Sequence, residues 1–424
     1  MPQRRKVIVP AGVPRPYPEF SPAVCYDQWI FVAGQTAADY VSGLAPEARP
    51  HADMPLVGED ERFQEARHIF RMLEKTFAAA GGRLNDCVRV DQFPTNRTIM
   101  DPYHTVRSET LATPRPASTS VMVGGLLSPA ARIAVELIGL SGHAPAAKEA
   151  IVPADVPHSL FGIVPAVRAG DFVFVAAQVA TDFKTGLAPE ARRNPVFWQG
   201  SEIELETRYT LKNIETVLRA AGSSLDNVVK AFIYLTDMRD IPRLDRVWRE
   251  AFPKNPPART IIPAAGIGVA ETRIEINLVA VTDGGAARKE VVQPRDDKPA
   301  LFHESRAVKA GNLLFLSGLM AATEKGLVES ARINPHNPHV TMSGRAQADF
   351  IFEQADMLCA SAGCKLSDAV RMLSVHTDWR DWAAAKSAWT PYFSSGEPAT
   401  TSIAMPAPLA VPGATMLFDL WVGA

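Results

Sequence analysis

The sequence predicts an α+β protein made of three tandem copies of one domain, and three observations carry that prediction. The heptapeptide GLAPEAR occupies Gly43–Arg49 and recurs letter for letter at Gly186–Arg192, and a diverged copy, GLVESAR, starts at Gly326, so the step is a near-constant one of about 140 residues. A chain of 424 residues is too long for one ordinary core and, at roughly 150 residues per domain, suggests about three. The same order of apolar patterns surrounds each copy of the heptapeptide.

Each unit begins with a short apolar run ending in small residues, DQWIFVAGQ from Asp27, GDFVFVAAQ from Gly170 and GNLLFLSGL from Gly311, which reads as a buried strand. After the GL element and a polar loop comes a helical period. Phe63, Ala66, Phe70, Leu73, Phe77 and Ala80 recur at threes and fours, as do Leu211, Ile214, Leu218 and Ala221, and then Ile351, Ala355, Leu358 and Ala362. Each helix is expected to stop at a glycine in a left-handed C-cap, within AAAGG, RAAGS or SAGCK. A strand follows (CVRVDQF, VVKAFIYLTD, AVRMLSVHTD), then a shorter helix. That helix is clearest in DIPRLDRVWREAF, where Asp240 can serve as N-cap and Pro242 falls in the first turn. A strand beginning after a proline (PASTSVMV, PARTIIPA, PATTSIAM) and a last strand (RIAVELIGL, RIEINLVAV, TMLFDLWVG) close the unit in β, α, β, α, β, β order.

The joins fall near residues 142–150 and 282–292, rich in Ala, Gly and charge, and read as short surface linkers; they divide the chain into units 1–146, 147–287 and 288–424. Three similar domains on short tethers can bury matching faces by closing a ring, the covalent counterpart of a cyclic trimer. Repeats of this length are whole domains, longer than the 20–50-residue units that solenoids stack.

Composition narrows the function classes. With 47% hydrophobic and 21% charged residues and a net charge of −2, there is no basic field for nucleic acid. Four cysteines without a CxxC pair fit reduced thiols. The basic start MPQRRKVIVPAG is interrupted by Pro10 and Gly12, and no apolar run approaches the length of about twenty residues that spans a membrane. The expectation is a cytoplasmic protein that partners neither nucleic acid nor membrane.

The strand ends AGQ, AAQ and SGL, the run AAGSSLDNVVKAFIYLTD, and above all PPARTIIPA followed by TRIEINLVAV resemble the Rid family of YjgF-like reactive-intermediate deaminases, over essentially the whole chain and most strongly in the second copy. The resemblance implies a chorismate-mutase-like fold and a pseudo-threefold trimer within one chain, monomeric or associating further, with sheets inside, helices outside and clefts between units. It implies hydrolysis of enamines or imines derived from amino acids, with a small carboxylate as substrate; neither metal nor organic cofactor is expected, because an iminium is already electrophilic. The arginine of the PAR element, similar to the family's carboxylate clamp, is Arg259; the glutamate reported for the family as positioning the attacking water matches Glu275. The clamp slot holds Ser118 and Thr400 in the other copies, and the glutamate slot holds Ala134 and Leu417, so only the second copy keeps both.

A planar guanidinium suits a carboxylate because its fork makes two parallel charge-assisted hydrogen bonds. Arg259, with Asp245 and Ala177 beside it, is expected to hold substrate in one cleft, while Glu275 moves protons between water, the C=N carbon and departing ammonia. The plainer alternative is a structural ion pair between Arg259 and Glu275. One position on the shorter helix varies as His104, Asp245 and Lys386. Lys386 with Ser118 or Thr400 suggests a second possibility, the serine–lysine chemistry of cyclic amide hydrolases of the barbiturase and cyanuric acid hydrolase type; a non-catalytic binding protein is the third. HNPH at 336–339 has two histidines but no third ligand nearby, and no glycine-rich phosphate loop occurs. Trp248 and Trp389, which share a helix position, read as packing residues.

Overall fold

The three periodic segments each form a 19-residue helix with the apolar stripe buried. The computed structural model describes residues 5–15, 20–51, 53–142, 144, 147–159, 162–196, 199–296, 298–337 and 343–424. Unit one contains β1 (Trp29–Gln35), α1 (Glu61–Ala79), β2 (Cys87–Pro94), α2 (Met100–Thr110), β3 (Ala117–Met122) and β4 (Ile133–Leu140). Unit two repeats them as β5 (Phe172–Val179), α3 (Glu202–Ala220), β6 (Val228–Leu235), α4 (Ile241–Ala251), β7 (Ala258–Pro263) and β8 (Ile274–Val281). Unit three has β9 (Leu313–Leu316), α5 (Ser343–Ser361), β10 (Ala369–His376), α6 (Trp382–Trp389), β11 (Ala399–Ala404) and β12 (Met416–Gly423).

The long helices end as expected. Gly81, Gly222 and Gly363 take φ of 77°, 72° and 77°. The next N–H, of Gly82, Ser223 or Cys364, then bonds the carbonyl of Phe77, Leu218 or Cys359 at 3.0, 2.8 and 3.0 Å, closing the last turn. The start of α4 differs from expectation. Asp240 precedes the helix but makes no side-chain cap; its carboxylate accepts from Arg273 Nε at 2.8 Å instead. Asp237 caps the preceding turn through the Arg239 N–H at 2.9 Å.

In every unit the shorter helix crosses between two parallel strands, β2 and β3, β6 and β7, or β10 and β11, as a parallel pair requires. The last strand lies antiparallel between the first strand and the one following the long helix. Two strands per unit escape the sequence pattern. Ala23–Tyr26, Ala166–Ala169 and Ala307–Ala310 form hairpins with β1, β5 and β9. Beyond them pair Lys6–Ile8, Lys148–Ile151 and Lys289–Val291. The predicted linkers are therefore partly strand: the last two pairings begin inside them.

The units touch pairwise through backbone. Gly266–Ile267 of unit two pairs antiparallel with β3 of unit one, Gly125–Leu126 of unit one pairs with β11 of unit three, and Gly318 N donates to Arg259 O at 3.0 Å. This explains the small residues at the strand ends. A Cβ on Gly34 would lie 2.7 Å from Thr401, and one on Gly318 would lie 2.9 Å from Thr260. Unit two carries Ala177 at the corresponding position, with its side chain half-buried at a cavity wall.

Each sheet has an apolar cluster of its own under its helices. A fourth cluster draws on all three units, with Phe31, Phe174, Phe232, Phe315 and Trp421 among its members. Trp248 and Trp389 lie in the helix-side cores, fully buried.

Where the units meet sits a buried ring of charge. Arg89, Lys230 and Arg371 occupy the same position in their units, and all three cations lie over the Phe232 ring, at 5.0, 4.9 and 5.3 Å. Arg371 of unit three pairs with Glu136 of unit one, and Lys230 of unit two pairs with Asp419 of unit three. The matching position in unit two is Asn277, which bonds Thr119 Oγ1 at 3.0 Å, and Arg89 pairs instead with Asp91 of its own unit at 2.8 Å. Three buried cations are thus met by three buried carboxylates, as a low-dielectric interior demands.

Candidate active site between units one and two

Strand alternation sets the position of Glu275. Its neighbours Ile274 and Ile276 point into the helix-side core, so Glu275 faces the other side of the sheet, toward unit one. It is only 3% exposed. Its carboxyl accepts the backbone N–H of Ser120, and burial pushes it up to about 8. Oε1 has no hydrogen-bond partner among the described residues.

Glu275 forms part of the wall of a cavity of about 380 Å3. Unit one contributes His104, Ser118 and Ser120, with Arg97 and Asp101 at the exposed mouth; unit two adds Ala177 and the apolar side chains of Val179, Phe183 and Ile267. Burial, reinforced by Arg107, holds the His104 imidazole down to about 4, so it is neutral at pH 7. The Ser118 hydroxyl oxygen accepts from Gln92 Nε2 at 2.8 Å and from Arg107 Nη1 at 2.9 Å. Ser120 Oγ donates to Gln92 Oε1 at 3.1 Å.

The expectation that Arg259 and Glu275 share a cleft requires correction. Arg259 pairs in register with Ala231, and Glu275 with Tyr234; Ala231 belongs to the helix-side cluster and Tyr234 to the shared one, so the two residues lie on opposite faces of the sheet. The Arg259 guanidinium donates to Asp245 Oδ1 at 2.6 Å and lies 3.6 Å from Glu304 of unit three. It packs 5.2 Å from the Trp248 ring and 5.8 Å from Phe302. The proposed clamp and Asp245 are partners of each other, and neither lines the cavity; the ion pair that does form is with Asp245 and Glu304, not Glu275. Arg259→Met is expected to cost about 3–5 kcal/mol, because it leaves Glu304 without its guanidinium and Asp245 with only Arg249, 3.8 Å away, in a largely buried site. Urea unfolding would show the loss, with KM for any substrate turned over at Glu275 unchanged.

The serine–lysine combination is not assembled either. Lys386, 5% exposed, is bound to Glu397 of its own unit, and the Thr400 hydroxyl donates to the Pro398 carbonyl at 3.1 Å. Ser118 and His104 lie in the cavity between units one and two, away from both. Among the described residues no group of three His, Cys, Asp or Glu side chains is placed to hold a metal; His339 of the HNPH motif lies outside the described residues. No helix among the described residues is long and apolar enough to cross a membrane.

Among the polar residues of the site, Ser120, Gln92, Arg97, Asp101 and Arg107 were not anticipated. The signal for Arg107 was present, since it occupies the helix position that holds Trp248 and Trp389 in the other copies.

A family profile described as Endoribonuclease L-PSP matches the chain three times, over residues 12–141, 154–282 and 297–416. A RutC family protein of Pyrococcus horikoshii is 33% identical over 133 residues, 31% of this chain and 97% of its own length. A 3-aminoacrylate deaminase RutC of Acinetobacter baylyi is 34% identical over 133 residues, again 31% of this chain and 97% of its own. A solved chorismatase is similar in fold, with a TM-score of 0.51 at 11% identity over 80% of this chain and 93% of its own. With the family's unit matched in all three thirds of the sequence, the chain belongs to the Endoribonuclease L-PSP family of Rid and RutC proteins and carries three tandem copies of that unit.

Proposed function

We propose that the chain is a hydrolytic deaminase that cleaves the C–N bond of a small, carboxylate-bearing enamine or imine in the cavity between units one and two, with Glu275 as its acid and base. The observation that carries this reading is a buried carboxyl, held near 8 with one oxygen unengaged, in the wall of a cavity of substrate size. Support comes from the relative of one unit's length that bears the name of a deaminase. In the same reading the units 1–146, 147–287 and 288–424 close as a pseudo-threefold ring with sheets inside, supported by the backbone hydrogen bonds that join all three pairs of units.

At neutral pH the Glu275 carboxyl is protonated and gives its proton to the enamine carbon, leaving an electrophilic iminium. The resulting carboxylate takes a proton from the attacking water. It returns that proton to nitrogen and takes up the hydroxyl proton as the carbinolamine collapses to a carbonyl compound and ammonia, which restores the protonated carboxyl. The apolar wall keeps bulk water from competing for these protons. Incubation with freshly generated 2-aminoacrylate, 3-aminoacrylate or 2-aminomuconate is expected to release ammonia well above the rate without protein. A rate equal to the spontaneous one for all three would remove the proposal.

A further inference from the structure

Arg107 is a buried arginine at the site whose charge meets no carboxylate among the described residues. Its side chain is almost fully buried, 2% exposed; its Nη1 donates to the neutral Gln92 and Ser118, its guanidinium lies 5.8 Å from the Tyr103 ring, and Nε has no hydrogen-bond partner among the described residues. No described carboxylate forms an ion pair with it; burial lowers its affinity for a proton, with Arg115 adding to that and Tyr103 opposing it. Elsewhere this chain matches buried cations with carboxylates, as at Arg89, Lys230, Arg259 and Arg371. A guanidinium buried without a partner is costly, and this one stands directly behind a cavity wall.

We propose that the Arg107 charge is matched by the ligand: Arg107, acting through the Ser118 hydroxyl, is the positioning residue that seats a small carboxylate in the cavity between units one and two. The Ser118 oxygen already accepts two donors, from Arg107 and Gln92, so its own proton must be given elsewhere, and the open direction is the cavity it lines. A hydroxyl polarised by a guanidinium in a desolvated wall is a strong donor to an anionic oxygen. The rest of the cavity agrees. His104 is neutral, Glu275 is protonated below about 8, and Arg97 and Asp101, of opposite charge, both stand at the exposed mouth, so the buried end is left with the charge of Arg107. The lining by Met100, Met122, Val179 and Ile267 asks for an apolar body behind the charged head. Copy two presents its guanidinium from the strand at Arg259, with Trp248 on the helix; copy one presents it from the helix at Arg107, with Ser118 on the strand.

This rests on the cavity being the ligand site, as in the proposed function, but its test needs no turnover. Calorimetric titration with butyrate and with its neutral counterpart butyramide is expected to show butyrate preferred by the wild type. Arg107→Met and Ser118→Ala are each expected to weaken butyrate at least about tenfold and butyramide less than about twofold, the size of one charge-assisted hydrogen bond. Arg107→Lys, which keeps the charge, is expected to fall between. The exchange Ser118→Arg with Arg107→Trp, reproducing the arrangement of copy two, is expected to recover butyrate affinity to within about threefold of wild type. Equal binding of the acid and the amide by the wild type, no binding of butyrate, or equal loss of both in Arg107→Met would overturn the assignment. Ammonia release scored separately on the same wild-type protein tells this failure from failure of the deaminase reading.

Discussion

Glu275→Gln is expected to lower kcat for ammonia release by about 10²–10⁴-fold, the contribution usual for a positioned general acid–base, with KM little changed. The amide keeps the shape and the bond from Ser120 but can neither give nor take the proton. The pH profile of the wild type should bear the same mark: activity that needs the protonated carboxyl falls as pH rises through about 8. Stability follows with a definite sign. The carboxyl holds its proton up to about 8 in the folded protein, against an ordinary value of 4.5, so between those limits the folded state binds more protons than the unfolded one. Its contribution is fully present below about 4.5 and is lost as pH rises toward 8. Urea unfolding at pH 5 and pH 8 should show a smaller difference for Glu275→Gln than for the wild type. A variant that keeps most of its kcat and the wild-type pH dependence would show that Glu275 neither reacts nor titrates as described.

How far the sequence could be read depended on whether a feature was local. The apolar stripe of α1, with Ala66, Phe70, Leu73 and Phe77 all buried, and the left-handed glycines after each long helix follow from spacing and backbone sterics alone. The hairpin strands before β1, β5 and β9 did not stand out, because segments such as Ala166–Ala169 are only four residues long and alternate weakly. The site was misjudged for a different reason. Arg259 and Glu275 are both kept only in the second copy, which suggested one cleft, yet β6 separates their strands and strand parity turns them to opposite faces. The cavity of Glu275 is built from two units, and no single repeat states which neighbour it will face. Glu275 therefore meets Ser118 and His104, side chains from a copy that looked degenerate when judged alone. The loss of arginine at Ser118 was legible; its replacement by Arg107 became meaningful only once the helix was seen to place that side chain against the serine.

The second large effect is expected at the charge ring, where Asp91→Asn should destabilise the protein by about 3–5 kcal/mol, the usual cost of removing one partner from a buried pair. Arg89 and Asp91 are 3% and 1% exposed, and two of the Arg89 nitrogens already lack partners among the described residues, so water cannot make up the loss. Asn277→Asp alone is also expected to destabilise, because it adds a fourth carboxylate to a ring with three cations. The two together should recover most of the stability. An aspartate at 277 would stand where Glu136 and Asp419 stand in the other units, beside Thr119 as they stand beside Thr401 and Thr260. It would meet Arg89 across the boundary between units one and two, making the third ion pair an inter-unit one like the other two. Chemical unfolding of the four proteins forms a double-mutant cycle, and a coupling of several kcal/mol is expected from residues that share one cation. Additive effects would mean that position 277 does not face Arg89 and that the three units do not meet about a common axis. Strong coupling would tie the stability of the chain to contacts between its copies, the same contacts that bring Glu275 to Ser118.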